Sequence, residues 1–363
     1  MKRVKVGYVG WLFHDATEFS QPVAVCDVNE KKLADYIRQY PEVKAFTDWK
    51  NLAEDPEIDV VVISTPNQYH CQMACLFLEK GKDVFLEKPM GVNRQEINKL
   101  LAVQRKTGRQ LAIDFELRVS SGMVRIKEII DSGEIGKLQG IEFVHHRGSW
   151  LLEGNGIWRL DKEKSGGLFF MEVCHEVDYL RFLLGEVQEV QSFKMPNTLP
   201  QYPPDFPDNV FSVLFFESGL IATITATHTL SCQDARIQEY ATKGHDMFFV
   251  FTGTEGSLRF DCIKEELLVT RLENYPSGTI GKRVMFKRVE DFRGTNSHHD
   301  ITRNRLSFLR ACAEGKPHHQ STEDAWRTHC VCLTAEESAI SPGFPRLRVD
   351  YTESCVGEER SFS

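Results

Sequence analysis

The 363-residue chain lacks the features that mark several large classes of protein. It has no run of 18 apolar residues, and its N-terminus, MKRVKVGYVG, has neither the long apolar segment nor the small-residue cleavage site of a secretory signal. Its 44 lysines and arginines, against 52 aspartates and glutamates, form no basic run, which argues against nucleic acid and anionic membranes as partners. We therefore expect a cytoplasmic protein.

Paired CxxC motifs are also missing. Cys71 and Cys75 share a predicted helix face, but no second pair accompanies them to complete a metal site. In a reducing compartment the ten cysteines should be free, buried thiols. With 41% hydrophobic residues the chain is not disordered, and its length predicts two domains.

Residues 1–118 alternate short apolar runs with helical patterns. Mostly β-branched runs predict strands buried on both faces of a parallel sheet, over residues 4–9, 23–27, 58–64, 83–86 and 110–115. Helices are expected between them, over residues 30–39, 69–80 and 95–107. This order predicts an α/β domain with a doubly wound Rossmann sheet, whose ligands bind at the carboxyl ends of the strands.

From residue 137 the chain changes to longer, half-alternating runs. They predict antiparallel strands over residues 138–147, 187–194, 210–217, 220–230, 246–252, 257–261, 267–272 and 284–289. Helices are expected over residues 122–131, 172–184, 300–313 and 322–338. We predict an α+β domain over 119–340 with a large, open, mostly antiparallel sheet, and an arm or frayed tail over 341–363.

The loop after the first strand has few of the glycines that a dinucleotide site requires. Gly7 and Gly10 are present, but the GxGxxG pattern also needs glycines at positions where the chain has Leu12 and Asp15. The first crossover is close to the minimum length, so its helix must be very short. By itself, the loop is weak evidence for a cofactor.

Asp27 ends the second predicted strand. A carboxylate there can accept hydrogen bonds from an adenosine ribose and would repel a 2′-phosphate, which favours NAD over NADP. Asp27 and Asn29 also precede a predicted helix, so capping of that helix is an equally good interpretation.

Further along the chain, several motifs occur in a fixed order: Thr65-Pro66-Asn67, Glu87-Lys88-Pro89, Trp158-Arg159, Ser165-Gly166-Gly167 and Glu172-Val173-Cys174-His175. Over roughly residues 4–338 this series resembles the glucose-fructose oxidoreductase / inositol dehydrogenase / rhizopine catabolism (Gfo/Idh/MocA) family. The resemblance implies a Rossmann domain, a C-terminal sheet often used for homo-oligomerisation, and a nicotinamide cofactor in the crevice.

The resemblance also implies roles for individual residues. Lys88 would lie beside the nicotinamide ribose and the substrate hydroxyl, where an ammonium lowers the pKa of a bound alcohol and orients its carbinol carbon. Glu87 would contact the same ribose. The remaining cofactor contacts would come from Thr65, Pro66, Asn67 and His70.

His175 is the natural proton carrier, because an imidazole can take and return a hydroxyl proton near neutral pH. Family members commonly carry an acid four residues earlier, where this chain has Met171. Glu172 and Asp178, each three residues from His175, are alternative orienting partners. A histidine satisfied within the core is the competing interpretation.

Arg118, Trp158, Arg159 and Asp178 are candidate substrate residues, because guanidinium groups donate to hydroxyls and an aromatic face suits a sugar ring. Packing at a domain interface explains Trp158 equally well. The pairs His145-His146, His298-His299 and His318-His319 lack an evident acid or cysteine ligand set, so we predict no metal and assign them to loops or solvent.

These features favour an NAD-dependent oxidoreductase that transfers a hydride to or from a ring secondary alcohol of a sugar, polyol or glycoside. One alternative is a glycosidase or lyase that oxidises its substrate transiently and retains its NAD. The other is a non-catalytic sugar or nucleotide sensor, which the incomplete glycine loop favours.

Overall fold

The computed structural model describes residues 3–147, 158–200, 202–228, 245–274 and 281–353. Six parallel strands form the first sheet in the order β3-β2-β1-β4-β5-β6. They are β1 (Val4–Gly10), β2 (Ser20–Cys26), β3 (Lys44–Phe46), β4 (Val60–Ser64), β5 (Asp83–Leu86) and β6 (Leu111–Ile113). This strand order and direction confirm the predicted doubly wound Rossmann sheet.

Four helices accompany this sheet: α1 (Glu30–Gln39), α2 (Trp49–Ala53), α3 (His70–Glu79) and α4 (Arg94–Thr107). Local signals set their ends. Asn29 caps α1 by accepting a hydrogen bond from the Lys32 amide, and Asn93 caps α4 by accepting one from the Glu96 amide. Gly108, at φ +64°, ends α4 in the left-handed conformation that favours glycine.

The first crossover has no helix at all, so the expectation of a very short one is wrong. Residues 11–19, all of which the structure describes, run from β1 to β2 as an irregular loop. Asp15 fixes the loop by pairing with Arg305, whose Nε lies 2.6 Å from the carboxylate. The loop therefore offers no helix N-terminus for a phosphate.

The second sheet has nine strands in the order β14-β13-β12-β11-β7-β10-β9-β8-β15. All neighbouring pairs are antiparallel except β7 and β10, as predicted for a mostly antiparallel sheet. The strands are β7 (Leu138–Arg147), β8 (Val187–Lys194), β9 (Asn209–Phe216), β10 (Ile221–Thr227), β11 (His245–Gly253), β12 (Gly256–Asp261), β13 (Glu266–Asn274), β14 (Lys282–Asp291) and β15 (Leu347–Arg348).

Five further helices link and cover the two sheets: α5 (Ser121–Asp131), α6 (Lys162–Ser165), α7 (Cys174–Leu184), α8 (Ile301–Glu314) and α9 (Thr322–Ile340). A π-helical turn over Phe169–Val173 leads into α7. Helix α8 packs on β1, β2 and β5, whereas α9 packs on β8 and against α4 and α7. No helix of the described residues has both the length and the apolarity to cross a bilayer.

Candidate active site

A cavity of about 480 Å³ lies where the carboxyl ends of β4 and β5 meet the π-helical turn, α7 and β7. Nine residues proposed from the sequence line it together: Thr65, Pro66, Asn67, Glu87, Lys88, Trp158, Arg159, Glu172 and His175. The two loops after buried parallel strands converge there because such strands end at one edge of the sheet. Trp11 also lines the cavity, and its side chain is 66% exposed.

Lys88 follows β5, and the π-helical turn fixes its side chain. Its Nζ donates a hydrogen bond to the Met171 carbonyl oxygen at 2.6 Å. Burial opposes the charge on Lys88, but Cys174 and neighbouring carboxylates including Glu87 hold its pKa above the ordinary value. The ammonium therefore stays charged, with two N–H groups left for other acceptors.

Glu87 is a buried carboxylate beside this ammonium. Burial raises the pKa of Glu87 to about 7, although the positive charge of Lys88 acts in the opposite direction. Its Oε2 has no hydrogen-bond partner among the described residues. A buried oxygen of this kind is suited to a ligand hydroxyl.

His175 is paired with Glu116 rather than with either acid expected from the sequence. Its Nδ1 lies 3.0 Å from Glu116 Oε2, and the other carboxylate oxygen accepts a hydrogen bond from His299 Nδ1. Burial lowers the pKa of His175 to about 4, against the opposing effect of Glu116. The imidazole is therefore neutral near pH 7, with Nε2 available to accept a proton.

Glu172, the first of those expected acids, belongs to a different group on the cavity wall. Its carboxylate lies 3.8 Å from His145 Nε2 and 4.0 Å from His228 Nε2. The π-helical geometry of Phe169–Val173 changes the spacing assumed for an α-helix, so the i,i+3 argument that linked Glu172 to His175 does not apply.

Asp178 and Arg118, which the sequence assigned to substrate, are instead paired with each other. Arg118 Nε and Nη2 donate to the two Asp178 carboxylate oxygens at 2.6 Å each, and Nη2 also lies 2.6 Å from Asp324. Both side chains are buried and neither is among the residues lining the cavity. Their bidentate pairing supports the packing of α7 and α9.

His70 supports the loops that form the cavity without lining the cavity itself. Its ring is buried, with Nδ1 2.7 Å from the Pro89 carbonyl oxygen and Nε2 2.8 Å from the Thr65 carbonyl oxygen. It thus holds together the two loops that form the cavity edge, and it is not among the lining residues. Asn67 does line the cavity, and its amide nitrogen donates to the Ser165 carbonyl at 2.8 Å.

The two glycines proposed for cofactor binding have different surroundings. Gly7 lies inside β1, and a Cβ there would meet Ile58 and Leu52 at 3.3 Å, so Gly7 serves packing. Gly10 ends β1 at φ +89°, and a Cβ there would lie 2.2 Å from the Ser64 carbonyl oxygen. Only glycine allows β1 and β4 to end so close together.

Asp27 is placed as a ribose-binding acid would be, at the end of β2, but it already has a cationic partner. Lys32 Nζ lies 2.6 Å from Asp27 and 2.5 Å from the Gly10 carbonyl oxygen. Asn29, not Asp27, caps the helix. The carboxylate position for an adenosine ribose is thus present at the end of β2, and Lys32 offers a positive charge near Gly10, where the usual helix N-terminus is missing.

Sequence reasoning gave no role to three further groups: Glu176 and His299 line the cavity, and Glu116 lies behind His175. Glu116, His175 and His299 have ligand atoms within 4.8 Å of one another, a donor set that can bind a divalent metal. The assignment of the histidine pairs to loops or solvent is wrong for His145 and His146, which lie in β7, whereas His298 lies in a loop as predicted but is buried there. Glu116 follows β6 just as Lys88 follows β5. That position at the carboxyl end of a parallel strand was the sequence signal that could have identified Glu116 as a site residue.

Comparisons with known proteins agree with this architecture. Residues 6–115 match the model of an oxidoreductase family with an NAD-binding Rossmann fold, and residues 123–259 match the Gfo/Idh/MocA C-terminal domain. A solved levoglucosan dehydrogenase in complex with NADH and levoglucosan has a TM-score of 0.77 at 21% identity, covering 96% of this chain and all of that one.

Two curated relatives show how far the likeness in sequence extends. Inositol 2-dehydrogenase of Salmonella typhimurium is 31% identical over 166 residues, which cover 45% of this chain and 47% of the relative. Levoglucosan dehydrogenase of Pseudarthrobacter phenanthrenivorans is 24% identical over 285 residues, 72% of this chain and 70% of the relative. The chain thus spans just under half the length of the inositol dehydrogenases it matches. Because the two family models match successive parts of the chain, the first over the Rossmann sheet and the second over part of the nine-stranded sheet, the chain belongs to the Gfo/Idh/MocA family of oxidoreductases.

Proposed function

We propose that this protein is an NAD-dependent oxidoreductase that transfers a hydride to or from a ring secondary alcohol of a sugar, polyol or glycoside. The observation that carries the proposal is the convergence of the Lys88 ammonium and the His175 imidazole on one cavity at the carboxyl edge of the Rossmann sheet. A cation that orients an alcohol and a neutral base that takes its proton are the two groups such a reaction needs.

NAD⁺, when bound, supplies the hydride acceptor. Lys88, fixed by the Met171 carbonyl, donates to the substrate oxygen and stabilises the negative charge that develops on it. His175 accepts the hydroxyl proton at Nε2 while Glu116 holds the ring through Nδ1. Glu87 and Asn67 are proposed cofactor contacts, together with Thr65 and Pro66, since all four line the same cavity.

The proposed substrate class rests on the cavity wall and on the relatives. Trp158 offers an aromatic face, and the Arg159 guanidinium lies 4.8 Å from that ring with its donors near the cavity. Relatives in this family are named for oxidation of inositol and levoglucosan, both cyclic polyhydroxy compounds. We propose NAD rather than NADP because the Asp27 carboxylate at the end of β2 can accept hydrogen bonds from the adenosine ribose, although its pairing with Lys32 offsets its repulsion of a 2′-phosphate.

We also propose a cytoplasmic homo-oligomer. The described cysteines are free thiols, as expected in a reducing compartment. Strand β14 forms one edge of the large sheet and exposes four apolar side chains, Val284, Met285, Phe286 and Val289. An apolar edge strand of this kind favours association with a second copy.

Binding of NAD⁺ and NADH is measured by calorimetry. Turnover is measured by the absorbance of NADH at 340 nm with a panel of sugars and polyols that includes myo-inositol and levoglucosan. We expect the protein to bind the cofactor and to reduce NAD⁺ with at least one cyclic polyol. Lys88→Met should lower kcat by about 10²–10³-fold, because the substituted side chain fills the same space without charge. The control is Lys106→Met at an exposed position of α4, which should leave kcat unchanged.

Three outcomes would redirect the proposal. Absence of NAD(H) binding would refute it. If the protein binds cofactor or sugar without turnover, and Lys88→Met leaves that binding unchanged, the sensor is favoured. The missing first helix also supports the sensor. Release of an aglycone without net NADH formation would identify a redox-assisted glycosidase or lyase.

A further inference from the structure

Glu116, His175 and His299 bring three atoms that can bind a metal close together beside the cavity. Glu116 follows β6, His175 belongs to the first turn of α7, and His299 lies just before α8. Their ligand atoms, two imidazole nitrogens and one carboxylate oxygen, all lie within 4.8 Å of one another. The three residues, called here the three-ligand group, come from distant parts of the chain, so no sequence motif contains them all.

The spacing within the three-ligand group fits a tetrahedral ion. Zinc binds imidazole nitrogen and carboxylate oxygen at about 2.0–2.2 Å, which places the ligands of a tetrahedral ion about 3.4 Å apart. His175 Nδ1 and Glu116 Oε2 are 3.0 Å apart, and no separation in the group exceeds 4.8 Å. The two imidazole rings are inclined at 74° with their centroids 5.3 Å apart, so they can approach one ion from different sides.

Two of the ligand atoms are buried without a hydrogen bond. His175 Nδ1 and Glu116 Oε2 face each other at the distance of an ion pair, but neither atom has a hydrogen-bond partner among the residues that the structure describes. The two side chains are 7% and 1% exposed. Buried polar atoms are normally hydrogen-bonded, so a nitrogen and a carboxylate oxygen left together in this way form an arrangement that a cation stabilises.

The charge around the three-ligand group also favours a divalent cation. Three further carboxyl groups interact electrostatically with that of Glu116, and they belong to Glu87, Asp114 and Glu176. Lys88 supplies one positive charge to the same region. Carboxylates gathered in an interior repel one another unless cations offset them, and a dication on Glu116 offsets more of this charge than the ammonium alone.

We propose that Glu116, His175 and His299 form a binding site for one divalent metal ion of the zinc type. Two imidazoles and one carboxylate are a zinc donor set, whereas magnesium and calcium prefer oxygen ligands. The sequence prediction of no metal was based on the lack of an acid near the histidine pairs, and Glu116 supplies that acid to His299 from 183 positions away. His175 and His299 line the cavity, so an ion can enter through it.

Metal binding has a consequence for the proposed hydride transfer. An imidazole that binds an ion through Nδ1 keeps its proton on Nε2, so a metal-bound His175 has no lone pair to accept the hydroxyl proton. The ion and the proton transfer therefore compete for His175, and bound zinc inhibits the reaction. The metal site does not depend on the proposed function, and only this inhibition rests on it.

Zinc binding is measured on the full chain without cofactor or substrate. After a chelator has been applied and removed, calorimetry should give one zinc per chain. His299→Ala should weaken zinc binding by about 100-fold or more, because a direct ligand matters at least as much as the groups that orient ligands. His319→Ala, at an exposed position outside the three-ligand group, is the matched control and should leave the affinity unchanged. No zinc binding, or equal affinity of His299→Ala and the unsubstituted protein, would overturn the proposal.

Cobalt in place of zinc identifies the ligands. Co²⁺ held by nitrogen and oxygen absorbs in the visible, whereas a cysteine ligand adds a strong thiolate band in the near ultraviolet. We expect visible absorption without the thiolate band, and loss of that absorption in Glu116→Gln. If Glu116→Gln fails to fold, His299→Ala still decides the question, because the His299 side chain is 43% exposed. A thiolate band would place the ion on cysteines and refute the site.

The competition is tested by turnover of a cyclic polyol with NAD⁺. Zinc at a saturating concentration should lower kcat by about 100-fold or more, the contribution expected of a proton acceptor, and a chelator should restore it. His299→Ala, compared with its own zinc-free rate, should need about 100-fold more zinc for the same inhibition. A rate that zinc leaves unchanged, or that the chelator abolishes, would overturn the competition. If no form of the protein shows turnover, the proposed function fails, while the calorimetry and the cobalt spectra still decide the metal site.

Discussion

At the scale of single residues, Lys32 has the most specific consequence for cofactor binding. Residues 11–19 contain no helix, so a diphosphate at this edge has no helix dipole to meet it. The Lys32 ammonium lies 2.5 Å from the Gly10 carbonyl oxygen, at the end of β1. The same ammonium pairs with Asp27. This ion pair holds the Lys32 side chain toward the sheet edge.

We therefore predict that Lys32→Gln weakens NAD⁺ binding about 10-fold, the loss expected for one charged contact. The difference between variant and unsubstituted protein should shrink as salt is raised, because the interaction is electrostatic and exposed. Calorimetry at two ionic strengths measures both effects. The neighbouring exposed Lys31→Gln is the control, and equal losses in both variants would show that only net charge matters.

Single residues also show how far the site could be read from the sequence. Lys88 and His175 were found because each belongs to a motif within a few residues of chain. The Glu116–His299 contact spans 183 positions, and no local pattern in a single sequence records such a pairing. The alternative partners for His175 were chosen by helical spacing, and that spacing failed where the backbone forms a π-helical turn.

At the scale of elements, the turn Phe169–Val173 controls the position of Lys88. The Phe169 amide donates to Glu336 Oε1 of α9 at 2.7 Å, and the Met171 carbonyl at the middle of the turn accepts from Lys88. Gly167, just before the turn, adopts φ +101°, and a Cβ there would lie 2.6 Å from the Glu336 carboxylate. Helix α9 therefore sets the turn through contacts that tolerate no side chain at residue 167.

We predict that Gly167→Ala destabilises the protein by about 1–3 kcal/mol and lowers kcat, because the methyl group must displace Glu336 and with it the turn. Gly133→Ala is the matched control: its φ is +73°, but nothing lies within 4 Å of the added methyl group. Thermal unfolding and enzyme kinetics are measured for both variants. Both carry backbone strain, so any additional effect of Gly167→Ala reports the contact with Glu336. Equal kcat values would contradict the proposed link to Lys88.

Most elements were predictable because their signals are local. The predicted bounds of β5, β8 and α1 agree with the structure, since apolar runs, turn residues and caps lie within each segment. Strand β3 and helix α2 were missed because they are only 3 and 5 residues long. The first helix was expected from the fold pattern alone, and the loop that replaces it depends on Arg305, 290 positions further along the chain.

At the scale of the whole molecule, a helix from the C-terminal part of the chain, α8, packs against the first domain. Helix α8 packs on β1, β2 and β5, where Phe308 and Leu309 are fully buried in the same core as Tyr8. The proposed boundaries at residues 118 and 340 stay predictions, and they leave out this return of the chain. The irregular first loop is stable because α8 covers the sheet face beside it.

The ion pair between Asp15 and Arg305 joins the first loop to α8. Arg305 Nε and Nη2 donate to the two Asp15 oxygens at 2.6 and 3.0 Å, and the Tyr8 hydroxyl donates to Oδ2 at 3.1 Å. The guanidinium also lies 3.7 Å from the Phe13 ring centroid. Both charged groups are buried, so removing either one leaves an uncompensated charge in the interior.

We predict that Arg305→Met lowers the free energy of unfolding by about 3–5 kcal/mol, and that Asp15→Asn has a similar effect. The double variant should be more stable than the sum of the single losses implies, because neither charge is then left unpaired. Urea unfolding measures all three. Arg310→Ala is the control from the same helix: its 3.4 Å pair with Glu18 is exposed on both sides and should contribute less than about 1 kcal/mol. Additive losses in the double variant would mean that the two groups act separately, and that α8 closes the first loop by apolar packing alone.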